Sequence, residues 1–325
     1  MISLSQEQID SFRSFVDFHD FFIIAGHKEP DGDCVSSCLG ISFILNHLNK
    51  KYALINSGPF KRTEIKQFAS KFSDQKPSLS AIQKNALIIV DCSEHERLGD
   101  VGEGLENLDT FIVDHHKTAE VKGKKAIIDP SAPAAALLVQ QLFEAIVGKP
   151  SPEEAHAIFF GIATDTGFFH YLNQLDSSVF EAAARLTDAG VNPRNVYQEM
   201  SDGKPWNTRK LLAILLDRAK RYCNGKLVVT YEEQADTRRY GQEGRDSDAL
   251  YSLMLSTEGV EAVVFLRQES DTKCTAGFRS LNDCDVSVIA SGLGGGGHKN
   301  ASGASIEGRL EQIIPHIVQE FEKIL

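Results

Sequence analysis

The chain has 325 residues, 34 Lys+Arg against 45 Asp+Glu and a formal charge of −11, an acidic balance that argues against wrapping long duplex nucleic acid on a basic face. Single cores stop growing at roughly 250–300 residues, so two domains are predicted, and 42% hydrophobic with 24% charged residues excludes dominant disorder. No window reaches about 18 uninterrupted apolar residues, MISLSQEQID lacks a signal-peptide pattern, and six cysteines without a C-x-x-C pair exclude a zinc ribbon or disulfide framework, so no membrane partner and a reducing cytoplasm are expected.

Ser5-x-x-Gln8 has the form of a capping box and opens a helix to about residue 18. Phe21-Phe22-Ile23-Ile24-Ala25 suits a fully buried strand. A helix is expected over 34–47, with further strands over 52–56, 86–90 and 110–113. A helix over 134–147 ends near Gly148. Ser151-Pro152-Glu153-Glu154 starts another, with Ser at the N-cap, Pro at N1 and Glu at N3. One more covers 177–189, and Gly190-Val191-Asn192-Pro193 reads as punctuation. A helix over 207–222 lies in a basic stretch that reads as a connector. Beyond it come strands at 227–231, 262–267 and 274–278, a helix at 286–293, a glycine-rich loop and a closing helix at 310–324. The fold class is α/β in two domains. Residues 1–190 carry a largely parallel sheet, 191–225 form a helical linker, and 226–325 form a smaller α/β domain.

Three apolar strands of the first domain run into acids or histidines. The first is followed by His27-Lys28-Glu29-Pro30-Asp31-Gly32-Asp33, the second by Asp91, the third by Asp114-His115-His116. Ligands of open parallel sheets bind beyond the carboxyl ends of the strands, so these residues should converge on one cleft. Asp165, where the helix from Ser151 ends, is a candidate fourth edge. Singly, Asp31-x-Asp33 reads as a helix cap and the paired histidines as hydrogen-bonded structure; four such ends with compatible hard ligands, in order, read as one site. Clustered carboxylates raise one another's pKa unless a counter-charge is present. Two divalent ions would balance Asp31, Asp33, Asp91 and Asp165, and neutral His27 and His115 would add ligands without charge. Carboxylate and imidazole without thiolate favours Mn²⁺, with Mg²⁺, Co²⁺ or Fe²⁺ as alternatives. Two metals roughly 3.5–4 Å apart suit phosphoryl chemistry, with Asp91 as the natural bridge on a strand expected to be central. Cys34 and Cys92 read as small packing residues.

The second loop is Leu293-Gly294-Gly295-Gly296-Gly297-His298-Lys299-Asn300-Ala301-Ser302-Gly303. Its glycines let backbone approach a ligand and aim N–H groups at an anion, and His298 can donate to phosphate. Arg279, at the end of a strand, has the fork geometry of an anion clamp.

His27-x-x-Pro30-Asp31-Gly32-Asp33, Asp91, Asp114-His115-His116 and Asp165 resemble the ordered motifs of the DHH phosphoesterase superfamily, and Gly294–Gly297 with His298 and Ala301-Ser302-Gly303 resembles the substrate loop of its DHHA1 domain. Within that superfamily the two-domain layout is similar to the bacterial nanoRNase/pAp-phosphatase group. The resemblance implies one Mn²⁺ on His27, Asp31 and Asp91, and another on Asp33, Asp91, His115 and Asp165. It further implies that His116 faces the scissile phosphate, that Asp114 orients the histidines, and that Arg279, Gly295, Gly296, Gly297, His298 and Ser302 hold substrate. The implied activity is metal-dependent hydrolysis of short oligoribonucleotides, of linear dinucleotides such as pApA, and of 3′-phosphoadenosine 5′-phosphate (pAp). Cyclic-dinucleotide phosphodiesterase, exopolyphosphatase, pyrophosphatase and a non-catalytic DHH binding module are the alternatives. An exposed helical face could pair two copies as a homodimer.

Overall fold

The computed structural model describes residues 3–79, 82–116, 125–172, 177–241, 245–281 and 283–325. The chain divides into two compact units, Met1–Gly203 and Lys204–Leu325.

In the first unit, helix α1 (Gln6–Phe18) opens on the Ser5/Gln8 capping box. Strands β1 (Phe21–Gly26), β2 (Lys51–Ile55), β3 (Asn85–Val90), β4 (Asp109–Asp114) and β5 (Lys125–Ile128) form one sheet in the order β2-β1-β3-β4-β5. Every neighbouring pair is parallel and β3 is central. The helices are α2 (Gly32–His47), α3 (Ala135–Ile146), α4 (Pro152–Asp165), α5 (Ser178–Asp188) and α6 (Pro193–Ser201). Alternate strand residues serve opposite faces. Phe22, Ile24, Ile88, Val90, Phe111 and Val113 join the main core with the helices; Ile23, Ala25, Leu87, Ile89 and Ile112 join a smaller one around Leu98 and Val101. Cover on both faces is why these strands read as unbroken apolar runs. Because all run the same way, their polar continuations emerge at one edge.

The second unit holds helix α7 (Trp206–Asp217), strands β6 (Lys220–Tyr222) and β7 (Leu227–Glu232), and helices α8 (Gln234–Tyr240) and α9 (Ser247–Leu255). It continues with β8 (Ala262–Ser270), β9 (Lys273–Ser280), α10 (Val286–Gly292), β10 (Gly296–His298), β11 (Ala301–Glu307) and α11 (Leu310–Phe321). The sheet is mixed, ordered β10-β11-β9-β8-β7-β6, with only the β7–β8 pair parallel. Val286, Ile289, Ile313, Ile317 and Phe321 pack on one face, and Leu211, Leu215, Leu250, Tyr251 and Met254 on the other.

The basic segment differs from its predicted form. The helix expected over 207–222 ends at Asp217, and Lys220–Tyr222 pairs antiparallel with Leu227–Val229 as an edge strand. Three residues are too few to display a strand's alternation. Residues expected as a helical linker, 191–225, thus comprise α6, α7 and the first strand of the second sheet. Asn192-Pro193, read as punctuation, is an N-cap with Pro at N1: the Asn192 side chain accepts from the Arg194 amide. The glycine-rich segment is not all loop, since Gly296–His298 is a strand of a hairpin. Among the described residues, no helix is long and apolar enough to cross a membrane.

Candidate metal centre

The sheet edge carries His27 just beyond β1, Asp91 just beyond β3, and Asp114 as the last residue of β4, followed by His115 and His116. Asp31 is the N-cap of α2, Asp33 lies in its first turn, and Asp165 closes α4. These elements bring three overlapping groups together: Asp33, His115 and Asp165; Asp91, His115 and His116; and His27, Cys34 and Asp91. Within each group one ligand atom per residue lies within 4.8 Å of the others. Asp91 leaves its strand with φ of 57°, a left-handed conformation that costs a non-glycine residue energy, and its amide donates to the Val113 carbonyl at 3.0 Å.

The imidazole orientations test whether the residues suit cations. His27 Nδ1 is 2.9 Å from the Lys28 carbonyl, and His115 Nδ1 is 3.1 Å from the Ala132 carbonyl. A carbonyl only accepts, so each Nδ1 carries a proton and donates. Each Nε2 then faces carboxylates. His27 Nε2 is 3.3 Å from Asp91 and 3.8 Å from Asp31. His115 Nε2 is 3.3 Å from Asp91, 3.5 Å from Asp165 and 3.8 Å from Asp33. A neutral ring would set a lone pair against anionic oxygens, which is repulsive unless a proton or a cation stands between. Asp91 Oδ1 is moreover buried and without a hydrogen bond to any described residue. A buried carboxylate with an imidazole nitrogen facing each of its oxygens, His115 at Oδ1 and His27 at Oδ2, suits divalent cations.

The titration behaviour shows the same tension. Burial pushes the His27 imidazole down, but hydrogen bonds with Asp31 and Asp91 outweigh it and bring the pKa up to about 11. For His115 burial is again opposed, here by Asp91, Asp33 and Asp165, and the pKa rises to about 10. Burial, with Asp91 and Asp31 nearby, raises Asp165 to about 6 despite His115. Asp33 is driven well upward by burial and by Asp91 and Asp165. Asp31 is pulled the other way: burial is overcome by His27 and by the Cys34 amide, which donates to its Oδ1 at 3.1 Å. In the cation-free protein, protons stand where positive charge is wanted.

Asp33 is also structural. Its Oδ2 accepts the Ala135 amide at 2.6 Å and its Oδ1 the Ala136 amide at 2.8 Å, so it caps α3, whose own N-cap residue, Ala134, makes no side-chain cap. Asp114 is fully buried; its Oδ1 accepts from the amides of His115 at 2.8 Å and His116 at 3.2 Å and from His116 Nδ1 at 2.8 Å. These donors hold its carboxyl below the usual range against its burial.

In the second unit, β9 and β11 set Arg279 opposite Ala301, and the β10–β11 hairpin sets Gly297 opposite Ser302 and His298 opposite Ala301. Gly295 and Gly297 are glycines because the hairpin is tight: a Cβ would lie 2.1 Å from the Gly303 carbonyl oxygen at Gly295, and 2.6 Å from that of Ala301 at Gly297. Gly296 faces open space. The Gly295 amide donates to the Ala290 carbonyl, and the Ser302 hydroxyl to the His298 carbonyl at 2.8 Å. The Arg279 guanidinium carbon lies 4.8 Å from the Tyr251 ring centroid, and Nη1 donates to the Phe278 carbonyl at 3.0 Å.

Sequence reasoning missed the supports rather than the acids and histidines. The Lys28 and Ala132 carbonyls and the Ala135 and Ala136 amides are backbone groups without a side-chain signature. Tyr251 beneath Arg279 belongs to a helix, α9, that was not anticipated. The thiol of Cys34, read as packing, reaches the group of His27 and Asp91.

The family model for the DHH family, N-terminal domain, matches residues 21–162, and that for the DHHA1 domain matches 224–325. The chain is 30% identical over 298 residues to the bifunctional oligoribonuclease and PAP phosphatase NrnA of Thermus thermophilus, spanning 91% of this chain and 87% of that protein. It is 27% identical over 302 residues to the cyclic-di-AMP phosphodiesterase PdeA of Listeria monocytogenes, spanning 86% of this chain and 44% of that protein. The crystal structure of an exopolyphosphatase-related protein from Bacteroides fragilis superimposes with a TM-score of 0.84 at 21% identity, covering 98% of each chain, a likeness of fold.

Proposed function

The chain belongs to the DHH family and is a metal-dependent phosphoester hydrolase with a DHHA1 domain, and from that premise we propose that it degrades the shortest RNAs. Its substrates in this reading are oligoribonucleotides of a few residues and linear dinucleotides such as pApA, cut to mononucleotides, and pAp, cut to AMP and phosphate. The arrangement around Asp91 carries the chemistry: a buried carboxylate whose two oxygens each face the Nε2 of a fixed imidazole, Oδ1 that of His115 and Oδ2 that of His27. The relative from Thermus thermophilus, matched over nearly its whole length, supports the substrate class.

His27, Asp31 and Asp91 would hold one divalent ion, and Asp33, Asp91, His115 and Asp165 the other, with Mn²⁺ favoured by the donor set. When bound, the ions supply the Lewis acidity that acidifies a water and draws charge from phosphoryl oxygens. The protein's own part is positional. Lys28 and Ala132 fix the tautomers of His27 and His115. Asp114 holds His116 at Nδ1 and so orients the ring that in this reading faces the scissile phosphate. In the second unit Arg279 clamps a substrate phosphate and His298 donates to it, while Gly295, Gly296, Gly297 and Ser302 shape the hairpin that carries His298. Six free cysteines suit a reducing cytoplasm, where this reading places the activity, and a homodimer is compatible with it.

The test is product-resolved digestion, with Mn²⁺, of a defined RNA length series alongside pAp, pApA, cyclic-di-AMP and polyphosphate. Turnover concentrated in the shortest RNAs and pAp is expected. Turnover of cyclic-di-AMP with none of short RNA or pAp would replace this reading by a cyclic-dinucleotide phosphodiesterase, the alternative that the Listeria relative supports.

A further inference from the structure

Cys34 has no part in the mechanism above, yet its sulfur lies at the cation site. One ligand atom each from His27, Cys34 and Asp91 fall within 4.8 Å of one another, and the Cys34 thiol donates to the His27 carbonyl at 3.8 Å. The space is built for the sulfur: Gly26 has no side chain, and a Cβ there would lie 2.3 Å from Cys34 Sγ. Cys34 also sits in the first turn of the 16-residue helix α2, fully buried against Gly26. Asp31, the other donor on this side, has Oδ1 committed to the Cys34 amide at 3.1 Å and stands 3.8 Å from His27 Nε2.

We propose that the site beside β1 coordinates cations in two modes: hard cations such as Mn²⁺ take His27, Asp31 and Asp91, whereas thiophilic cations such as Zn²⁺ or Cd²⁺, and borderline Co²⁺ as their spectroscopic substitute, take His27, Cys34 and Asp91. The inference rests on the two-ion reading of this site and adds to it a sulfur donor and a means of discriminating metals. On loading of a thiophilic cation, the Cys34 S–H bond breaks, a sulfur–cation bond forms from the sulfur lone pair, and the proton leaves to solvent; nothing is oxidised or reduced. Soft thiolate selects such cations over Mn²⁺ and Mg²⁺, so the site retains them against exchange.

The full-length, metal-free protein is titrated separately with Mn²⁺, followed by electron paramagnetic resonance, and with Co²⁺, followed by its near-ultraviolet thiolate-to-cobalt charge-transfer band. Wild type should bind both ions and show the band. Cys34→Ser and Cys34→Ala should lose it, with Cd²⁺ affinity falling at least roughly tenfold and Mn²⁺ affinity staying within about threefold; Cys38→Ser should keep it. Cadmium NMR of the wild type reports a sulfur donor without any substitution, so the proposal stands or falls even if the variants misfold. Bound Co²⁺ or Cd²⁺ without a sulfur signature, or a band that survives in both Cys34 variants, overturns the second mode. Failure of wild type to bind Mn²⁺ overturns the two-ion reading instead.

Discussion

His116 Nδ1 lies 2.8 Å from Asp114 Oδ1, and the same oxygen accepts the amides of both histidines that follow it. One buried carboxylate therefore sets the turn after β4 and the orientation of a ring that reaches solvent. Asp114→Asn keeps the shape but can offer an N–H where the ring nitrogen needs an acceptor. We expect kcat to fall roughly 10–100-fold with KM little changed. Steady-state kinetics on a dinucleotide substrate decides it: a rise in KM alone would remove His116 from the reaction.

Asp91 is common to both ion sites in the proposed assignment. Asp91→Ala should cost at least about 10³-fold in activity and abolish tight Mn²⁺ binding. Turnover near the wild-type rate in that variant, measured after chelation and reloading, would rule out the shared carboxylate.

The raised histidines make a pH prediction. His27 and His115, at about 11 and 10, stand above their ordinary 6.5. Groups raised in the folded state stabilise it fully below their unfolded pKa, and that stabilisation is lost as pH rises through the folded one. Asp165, raised from 3.8 to about 6, acts in the same sense over its lower window. Metal-free protein should therefore lose stability as pH climbs from near 4 to about 6, and again from near 6.5 toward 10. Loading with Mn²⁺ should release about two protons at neutral pH, since cations replace those held by the two rings. Calorimetry in buffers of different ionisation heat measures the release; no net protons, or a metal-free melting temperature that rises across the upper window, contradicts it.

Arg279 is stacked over Tyr251 and in the proposed reading clamps a substrate phosphate. Arg279→Ala is expected to raise KM about tenfold and to leave kcat within about threefold. A loss confined to kcat would contradict a clamp.

Helix α4 starts at a full capping box, with the Ser151 side chain taking the Glu154 amide and Glu154 returning to the Ser151 amide, and it ends at Asp165. Ser151→Ala should lower unfolding stability by about 1 kcal/mol. Urea melts measure it, and an unchanged midpoint would show that tertiary packing alone holds this helix start.

The first domain was legible because its physics is local. Buried parallel strands must be continuous apolar runs, so Phe21–Ala25 and Ala86–Val90 announced themselves, and the residues after them had to lie at one edge. What escaped was decided by partners distant in sequence. Lys125–Ile128 is a short strand whose status depends on β4 beside it, and Lys220–Tyr222 exists as a strand only through β7. The hairpin at Gly296–His298 hid inside a glycine run whose backbone freedom masks any pattern. At the site, the identities of acids and rings could be read from sequence, but the direction in which His27 and His115 point is set by carbonyls that any residue would supply.

Asp33 joins two obligations that a lineage could not separate. Were descendants of this chain to abandon hydrolysis, His115 or Asp165 could drift freely, whereas replacing Asp33 would unseat the start of α3. Among the acids of the proposed ion assignment, Asp33 and Asp31, each of which also holds a helix start, should be the last to disappear from a decaying copy.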